Sequence, residues 1–438
     1  MKISAKTVPI SKALSSTGKS MTIRGWIYRK RSSGGKSFAI IRDVSGTVQC
    51  VIDKAKVGEE EWGALDKAYL ESSIIIKGKP RKDERAPGGV ELDVEDLMVV
   101  HSGEQFPITE YQSAEFLMDV RHLWLRSQKM TNIMKARAFI FRYARDFMDK
   151  EGFFEVSPPL ITNAGGETGA SMFEVDYFGQ KVFLTESSQL YGEAMVPVLE
   201  KVYTFAPSYR AEKSRTTKHL TEYWHLEPEA AYYNLDDIMK LQENLVSSVA
   251  SKLAKDEDVL KALGVEKESL LKVKPPFKRI TYDKAIDIIQ QKGSKKKWGD
   301  DLGVEEERLL TEHEDKPIFV YAWPKELKAF YASINPKDER TVMAADMQAP
   351  HGHGELTSSS ERVWVYDELI RRMDEVERAQ GVKFDRKKYS WWIDLRRYGS
   401  VPHAGFGIGM ERMIKWMLNL EHIRDAVPFP RLINRISP

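Results

Sequence analysis

The segment SYRAEKSRTTKHLTEYWHLEPEAAYY, residues 208–233, interleaves cations, carboxylates and large aromatic side chains more densely than soluble surfaces usually do. Its flanks alternate like strands around the polar, cationic KSRTTKH, which predicts a β-hairpin with a basic loop. Alternate strand residues share a face, so Arg210 and Glu212 are expected together on the first strand, and Glu227 and Glu229 on the second. Such a face is either the solvated side of an antiparallel sheet or a ligand site. The aromatic content and the mutual repulsion of three acids favour the ligand site.

The composition is that of a globular protein with room for two or three domains. The chain has 438 residues, of which 42% are hydrophobic and 30% charged, and its net charge is +2. The single cysteine, Cys50, excludes a disulfide framework or a cysteine-based zinc site within one chain. The chain start has no apolar signal region, and no apolar run approaches the roughly 20 residues of a membrane span. We therefore expect a cytoplasmic protein with no membrane partner.

The N-terminal part is strongly basic, because the first 42 residues contain ten Lys and Arg and no Asp or Glu. This block predicts a polyanion partner, although a solvated basic face is the commoner meaning of a charge run alone. Residues 1–105 contain five strand-like segments and one helix-like segment, the element count of a small OB-type barrel. The strand-like segments are MTIRGWIYRKR, KSFAIIRDV, TVQCVID, SSIIIKGKP and VELDVEDLMVV, and EEEWGALDKAYLES separates the third from the fourth.

The rest of the chain predicts one large α+β domain. Residues 106–128 are expected to form a connector that ends in RHLWLR. An apolar stripe at helical spacing predicts a helix from about Lys129 to Glu151, and Gly152 marks its end. Beyond it, residues 129–438 as a whole mix strands and helices.

Three stretches resemble, in the correct order, the signature motifs of the class II aminoacyl-tRNA synthetases. Helix 129–151 followed by GFFEVSPPLI resembles the first motif, which implies a homodimer interface. The hairpin predicted for residues 208–233, with Arg210, Glu212 and His219, resembles the second motif. The segment GFGIGMERMIKWML resembles the third. Six longer stretches and the barrel resemble the archaeal-type asparaginyl-tRNA synthetases over essentially the whole chain: TESSQLYGEA, the opening hairpin, WGDDLG, GHGELTSSSER, DLRRYGSVPHAGFGIGMER and HIRDAVPFPR.

This resemblance implies an OB-fold anticodon-binding domain at 1–105 and a class II catalytic domain at 129–438, built on a largely antiparallel sheet flanked by helices. The implied reaction is ATP-dependent formation of asparaginyl-adenylate, followed by transfer to tRNA with release of AMP and pyrophosphate. The implied partners are L-asparagine, the anticodon and acceptor end of tRNA, and a second copy of the chain. Two alternatives remain open: an aspartyl or non-discriminating enzyme of the same fold, and a non-catalytic RNA-binding paralogue.

The ATP-binding residues follow from the resemblance and agree with the chemistry. Activation brings a carboxylate in line with the α-phosphate of ATP, and these anions repel, so cations must neutralise them. The family pattern assigns Arg210 to the α-phosphate and Arg412 to the γ-phosphate as the two catalytic residues. Further ATP contacts implied by the pattern are Arg215 and His219 at the outer phosphates, Glu212 at the adenine amino group and Tyr223 beneath the adenine ring.

Mg²⁺ is the expected cofactor, with Glu355, Asp346 and the hydroxyl of Ser358 as oxygen ligands. The HGHG segment contains His351 and His353, but no third ligand is identifiable, so they are interpreted as loop histidines.

The residues for the amino acid also come from the family pattern. Glu167 matches the residue that holds the α-ammonium group, and Gln189 lies at a substrate-contacting position. Glu227 and Arg362 match the residues that meet the substrate side chain in asparaginyl enzymes. Gly192 stands where aspartyl enzymes have a lysine, which favours asparagine, whereas the segment 357–359, Thr-Ser-Ser, replaces the usual Ile-Gly-Gly of asparaginyl relatives and leaves relaxed specificity open.

Three barrel residues resemble the anticodon readers of the aspartyl and asparaginyl families. The resemblance implies that Phe38 stacks on the central uridine and that Gln49 and Glu91 contact its edge. Taken singly, a strand phenylalanine is more often a core residue, and the basic stretch around Phe38 favours the stacking role.

Overall fold

The computed structural model describes residues 6–16, 18–165, 172–212 and 218–437. The chain divides into two compact units, Met1–Ala114 and Glu115–Pro438. Within the described ranges, no helix is both long and apolar enough to cross a membrane.

The first unit is a closed five-stranded barrel with the strand order β1-β2-β3-β5-β4, which confirms the OB-fold prediction. Its core contains the inward-facing residues of each strand, such as Ile23, Ile27 and Ile41, because successive strand residues point to opposite faces. The elements are α1 (Ile10–Leu14), β1 (Met21–Ser33), β2 (Lys36–Asp43), β3 (Gly46–Asp53), α2 (Glu59–Lys67), β4 (Ser73–Lys82), a 3-10 turn (Pro87–Gly89) and β5 (Val90–His101).

The second unit is built on an eight-stranded sheet, flanked by helices and accompanied by a separate three-stranded sheet. The strands are β6 (Phe154–Glu155), β7 (Ile161–Thr162), β8 (Glu174–Tyr177), β9 (Gln180–Leu184), β10 (Lys201–Tyr209), β11 (Glu222–Ala231), β12 (Lys278–Thr281), β13 (Ile318–Tyr321), β14 (Ala344–Ala349), β15 (Gly354–Glu361) and β16 (His403–Gly409). The large sheet has the order β12-β13-β14-β15-β16-β11-β10-β6, and the small one β7-β9-β8. Only the outermost pairs of the large sheet, β12 with β13 and β10 with β6, are parallel among the described strands. The prediction of a largely antiparallel sheet is therefore confirmed.

The helices that follow the barrel are α3 (Ala114–Asp119), α4 (Arg121–Trp124), α5 (Gln128–Lys150), α6 (Gln189–Leu199), α7 (Leu235–Leu253), α8 (Glu257–Leu263), α9 (Lys267–Leu271), α10 (Tyr282–Gln291), α11 (Val304–Thr311), α12 (Tyr366–Gln380), α13 (Ser390–Asp394), α14 (Met410–Met417) and a 3-10 turn (Ile423–Ala426). Residues 106–128, the expected connector, thus contain the two short helices α3 and α4. Ser127 caps the N-terminus of α5, where its side chain accepts a hydrogen bond from the Met130 N–H, and the helix ends at Lys150, two residues before Gly152.

The core of the second unit lies between α5, α7 and one face of the large sheet. Leu226 and Ala230 of β11 and Phe406 of β16 contribute to this core. Their neighbours at odd positions, including Glu227 and Glu229, point to the opposite face because strand side chains alternate. Glu227 and Glu229 of β11 therefore point away from α5 and α7.

Candidate active site

The hairpin of β10 and β11 has the predicted topology, but its first strand ends earlier than expected. β10 pairs with β11 in antiparallel register from Lys201↔Ala230 to Tyr209↔Glu222. Arg210 follows the strand, and its N–H donates a 3.0 Å hydrogen bond to the Thr221 carbonyl. The prediction that Arg210 and Glu212 share a strand face is wrong, because β10 ends at Tyr209. The two side chains are still close, since Arg210 Nη1 lies 3.9 Å from Glu212 Oε1.

A cavity of about 580 Å³ opens on the face of the sheet opposite α5 and α7. Ten of the predicted site residues line it: Gln189, Arg210, His219, Tyr223, Glu227, Asp346, Glu355, Ser358, Arg362 and Arg412. Glu212 lies beside the cavity through its contact with Arg210, whereas Glu167 and Arg215 fall outside the described residues. The hairpin, the third motif and the strands between them therefore contribute to one site.

Glycines of β16 make this convergence sterically possible. Gly405 pairs with Glu229 across the strands, and a Cβ at Gly405 would lie 2.2 Å from the Glu229 carboxylate. A Cβ at Gly407 would lie 2.7 Å from Nε2 of His225. Both distances are shorter than a carbon atom can tolerate, so the GFGIG pattern leaves room for β11 side chains.

Cations cluster at one end of the cavity. Arg412 Nη1 lies 3.0 Å from Glu355 Oε1, and the Arg210 guanidinium lies 5.8 Å from the centre of the Tyr223 ring. Burial and the nearby Arg412 charge lower the pKa of His219, which favours the neutral imidazole. The arrangement is suited to a polyanion beside an aromatic platform.

Acids lie at the other end of the cavity. The Glu227 carboxylate accepts a hydrogen bond from the Ser187 hydroxyl and another of 2.7 Å from the Ser188 N–H. Glu229 forms a two-bond ion pair with Arg362, with distances of 2.6 and 3.2 Å. Glu227, Glu229 and Arg362 are all buried, so fixed charges with little solvent around them face this end of the cavity.

A buried charged network behind Arg362 was missed by sequence reasoning. Glu193 contacts Arg396 and lies 3.2 Å from Nε2 of His403, while its other oxygen accepts a 2.9 Å hydrogen bond from the Gln189 amide. Burial opposes the charge of Glu193, but Arg396 and His403 hold its pKa well below the ordinary value. Gln189 is therefore held from behind by the network. The VPHAG segment, which contains His403 and leads into the glycine-rich strand, was the sequence feature that could have revealed this network.

The predicted metal ligands lie on neighbouring strands. Asp346 of β14 stands directly opposite Ser358 of β15. Asp346 Oδ2 accepts a 2.5 Å hydrogen bond from Lys328, a cavity residue that sequence reasoning missed, while Oδ1 is buried and lacks a hydrogen-bond partner among the described residues. Burial raises the pKa of Asp346 to about 6, with Lys328 opposing and Glu355 adding to the shift.

Within the described ranges, no group of three or more His, Cys, Asp or Glu residues forms a metal cage. Mg²⁺ is commonly held by one or two carboxylates together with substrate phosphates, and the buried Oδ1 of Asp346, which accepts no hydrogen bond from the described residues, fits that donor set together with Glu355.

The barrel brings its three predicted residues to one outer face. Gln49 of β3 pairs in register with Ile40 of β2 and Glu91 of β5, and its amide donates a 3.0 Å hydrogen bond to Glu91. Phe38 is half-buried and does not belong to the barrel core, and the Arg31 guanidinium lies 5.0 Å from the centre of its ring. An outward phenylalanine beside a cation is typical of a surface that stacks single-stranded bases.

Known proteins resemble this chain along nearly its whole length. The model of OB-fold nucleic acid binding domains matches residues 21–100, and the model of class II tRNA synthetases (D, K and N) matches residues 113–433. The asparagine–tRNA ligase of Thermoplasma acidophilum is 44% identical over 422 residues, which are 96% of this chain and 97% of that protein.

Two solved structures are also similar. The crystal structure of asparaginyl-tRNA synthetase from Pyrococcus horikoshii, complexed with asparaginyl-adenylate, has a TM-score of 0.94 and 45% identity, covering 99% of this chain and 100% of that one. The Entamoeba histolytica asparaginyl-tRNA synthetase in complex with asparaginyl-adenylate has a TM-score of 0.86 and 31% identity, with coverage of 99% and 100%.

Proposed function

The chain belongs to the class II tRNA synthetases of the D, K and N group, and we propose that it joins L-asparagine to its cognate tRNA through an asparaginyl-adenylate. The observation that carries the proposal is the polarity of the cavity. Arg210 and Arg412 supply cations at one end of the cavity, which suits anionic phosphates, and the buried acids Glu227 and Glu229 lie at the other end. A nucleotide and a small amino acid fit this division of charge.

In the first step, an oxygen of the asparagine carboxylate attacks the α-phosphorus of ATP, and the bond to pyrophosphate breaks. Arg210 stabilises the charge that develops on the α-phosphate, and Arg412 binds the γ-phosphate. Arg215 and His219 assist at the outer phosphates. Tyr223 supports the adenine ring, and Glu212 accepts a hydrogen bond from its amino group.

The amino acid is held at the acidic end. Glu167 binds the α-ammonium group, and Gln189, fixed by Glu193, orients the substrate. Arg362 donates to the side-chain amide oxygen, and Glu227 accepts from the amide nitrogen, directly or through water. This pattern favours an amide over a carboxylate, because Glu227 would repel a negative side chain.

Mg²⁺ would be held by Asp346, Glu355 and Ser358, and it would neutralise negative charge on the ATP phosphates. The free Oδ1 of Asp346 supports this assignment.

In the second step, a ribose hydroxyl of the terminal tRNA adenosine attacks the asparaginyl carbonyl, and AMP leaves. The barrel reads the anticodon through Phe38, Gln49 and Glu91.

A homodimer forms through the α5 and β6 region. The exposed Phe154 of β6, at the edge of the large sheet, supports such an interface. The reaction takes place in the cytoplasm, where the buried thiol of Cys50 stays reduced.

Aminoacylation of an asparagine tRNA transcript with radiolabelled asparagine tests the proposal. We expect ATP-dependent charging of this transcript and poor charging of a tRNA with an altered anticodon. No charging with asparagine under conditions that support charging with aspartate would refute it.

A further inference from the structure

Besides Arg362 and Glu229, three pairs of a Lys or Arg with a carboxylate line the cavity among the described residues, and one of these three has no role in the reaction described above. Lys328 contacts Asp346 at 2.5 Å, and Arg412 contacts Glu355 at 3.0 Å. In the third pair, Lys218 Nζ lies 3.2 Å from Glu307 Oε2. The first two acids are the proposed Mg²⁺ ligands, whereas neither member of the third pair has an assigned function.

The third pair is positioned by parts of the chain that are far apart in sequence. Lys218 immediately precedes His219, and Glu307 lies in the middle of α11. Both side chains are 14% exposed, and both line the cavity. A Cβ at Gly354, which has φ +90°, would lie 2.4 Å from Lys218 Nζ and 2.9 Å from Glu307 Oε2. The pair therefore rests against the first residue of β15, next to Glu355.

Glu307 shares the electrostatic environment of the phosphate end. Burial and the negative charge of Glu355 raise its pKa, and Lys218 and Arg412 oppose the shift. A carboxylate in this place repels a polyanion, while the ammonium beside it attracts one.

We propose that Lys218 is a further cation for the outer phosphates of ATP, and that Glu307 is a built-in competitor for Lys218 that promotes release of pyrophosphate. The inference rests on the proposed function, because it assigns roles in binding ATP and releasing the leaving group. When phosphate oxygens approach, the Lys218 ammonium exchanges the Glu307 carboxylate for them. When pyrophosphate departs, Glu307 takes Lys218 back.

If Lys218 exchanges Glu307 for phosphate, removal of the two charges should change phosphate affinity in opposite directions. Removing the Lys218 charge with Lys218→Met weakens the attraction of the site for phosphates. Removing the Glu307 charge with Glu307→Gln ends both the competition and the repulsion, so phosphates bind more tightly. A purely structural ion pair predicts that either change weakens binding, because each would disturb the same wall of the cavity.

The experiment is calorimetric titration of wild type and both variants with Mg²⁺–ATP and, separately, with Mg²⁺–pyrophosphate, without any amino acid. We expect Lys218→Met to raise both dissociation constants about tenfold and Glu307→Gln to lower the pyrophosphate constant by about threefold or more. The matched controls are Lys278→Met and Glu314→Gln, which break a 2.6 Å ion pair that does not line the cavity, and they should leave both constants unchanged.

Weaker or unchanged pyrophosphate binding by Glu307→Gln would overturn the inference, as would unchanged ATP binding by Lys218→Met. If Lys218→Met fails to fold, the direction of the Glu307→Gln effect alone decides. The titrations need no amino acid, so their outcome is separate from the test of the proposed function. That function fails if the wild-type enzyme does not charge tRNA with asparagine.

Discussion

Arg362 and Glu229 form a buried ion pair in which Nη2 of the arginine lies 2.6 Å from Oε1 of the glutamate. The Glu229 carboxylate packs against Gly405 of the neighbouring strand, so the pair has little freedom to move. Glu229 thereby fixes the direction in which Arg362 presents its guanidinium to the amino-acid end of the cavity. We propose that Glu229 positions Arg362 and does not bind the substrate itself.

Replacing Glu229 with glutamine should therefore affect asparagine more than ATP. The amide keeps the shape of the side chain but leaves the Arg362 charge without its partner, a loss that costs about 3–5 kcal/mol of stability when such pairs are buried. In pyrophosphate exchange we expect the KM for asparagine to rise about tenfold while the KM for ATP stays nearly constant. Glu222→Gln, at the exposed start of the same strand, is the control. An unchanged asparagine KM in a folded Glu229→Gln enzyme would argue against positioning.

Arg412 is expected to be indispensable for adenylate formation. Arg412→Ala removes a phosphate cation, and loss of one such stabilising group typically lowers the rate by about 100- to 1000-fold. Arg412 and Glu355 are both partly exposed, so the loss of their ion pair should change stability little. Circular dichroism should match wild type while pyrophosphate exchange falls by this factor. Near-normal pyrophosphate exchange would show that Arg412 does not stabilise the ATP phosphates.

Phe38 should matter for tRNA and not for adenylate formation. A stacked base contributes about 1–3 kcal/mol, so Phe38→Ala should raise the KM for tRNA by about 5- to 150-fold. Pyrophosphate exchange should be unaffected. Val44→Ala, which truncates a 73% exposed residue just after the same strand, provides the control. Normal charging by Phe38→Ala at limiting tRNA would mean that the ring does not stack on the anticodon.

His219 should make the enzyme less stable in mild acid. Burial, followed by the Arg412 charge, lowers its pKa in the folded protein below the ordinary value of 6.5. The unfolded chain then binds a proton more readily, so this contribution to stability is complete above pH 6.5 and declines as the pH falls below it. The urea midpoint should drop less between pH 7.5 and 5.5 in His219→Gln than in wild type. His313→Gln, at an exposed site, should behave like wild type. An equal drop in wild type and His219→Gln would contradict the assignment.

Local patterns in the sequence account for much of the fold. The alternation in MTIRGWIYRKR and its four companions predicts barrel strands, because inward and outward residues have to differ in polarity. The hairpin of the second motif is predicted by two alternating flanks around a cationic loop. The end of its first strand at Tyr209 is not predicted by the sequence, because Arg210 continues the alternation. Only the three-dimensional course of the chain ends the strand there.

The partners of the site residues could not be read from the sequence. Arg362 and Glu229 are 133 residues apart, and Glu193 and His403 are 210 apart, so no local spacing reveals that they touch. Lys328 and Glu307 lie in segments between the second and third motifs and carry no motif of their own. They enter the cavity only because β14 and β15 place Asp346 and Glu355 beside them.

We propose that the choice between asparagine and aspartate depends on the charge of Glu227. The two amino acids are nearly isosteric, so charge has to separate them. A like-charge contact at about 4 Å and an effective dielectric near 20 costs on the order of 4 kcal/mol, which corresponds to roughly thousandfold discrimination. The Glu227 carboxylate accepts hydrogen bonds from the Ser187 hydroxyl and the Ser188 N–H, which hold it in place. Glu227→Gln should accordingly narrow the difference between the two amino acids.

Pyrophosphate exchange by the unmodified enzyme, measured with asparagine and aspartate side by side, tests the central claim most directly. The account predicts that kcat/KM for asparagine exceeds that for aspartate by about a thousandfold. Equal or faster exchange with aspartate would contradict it and would favour an aspartyl or non-discriminating enzyme of the same fold.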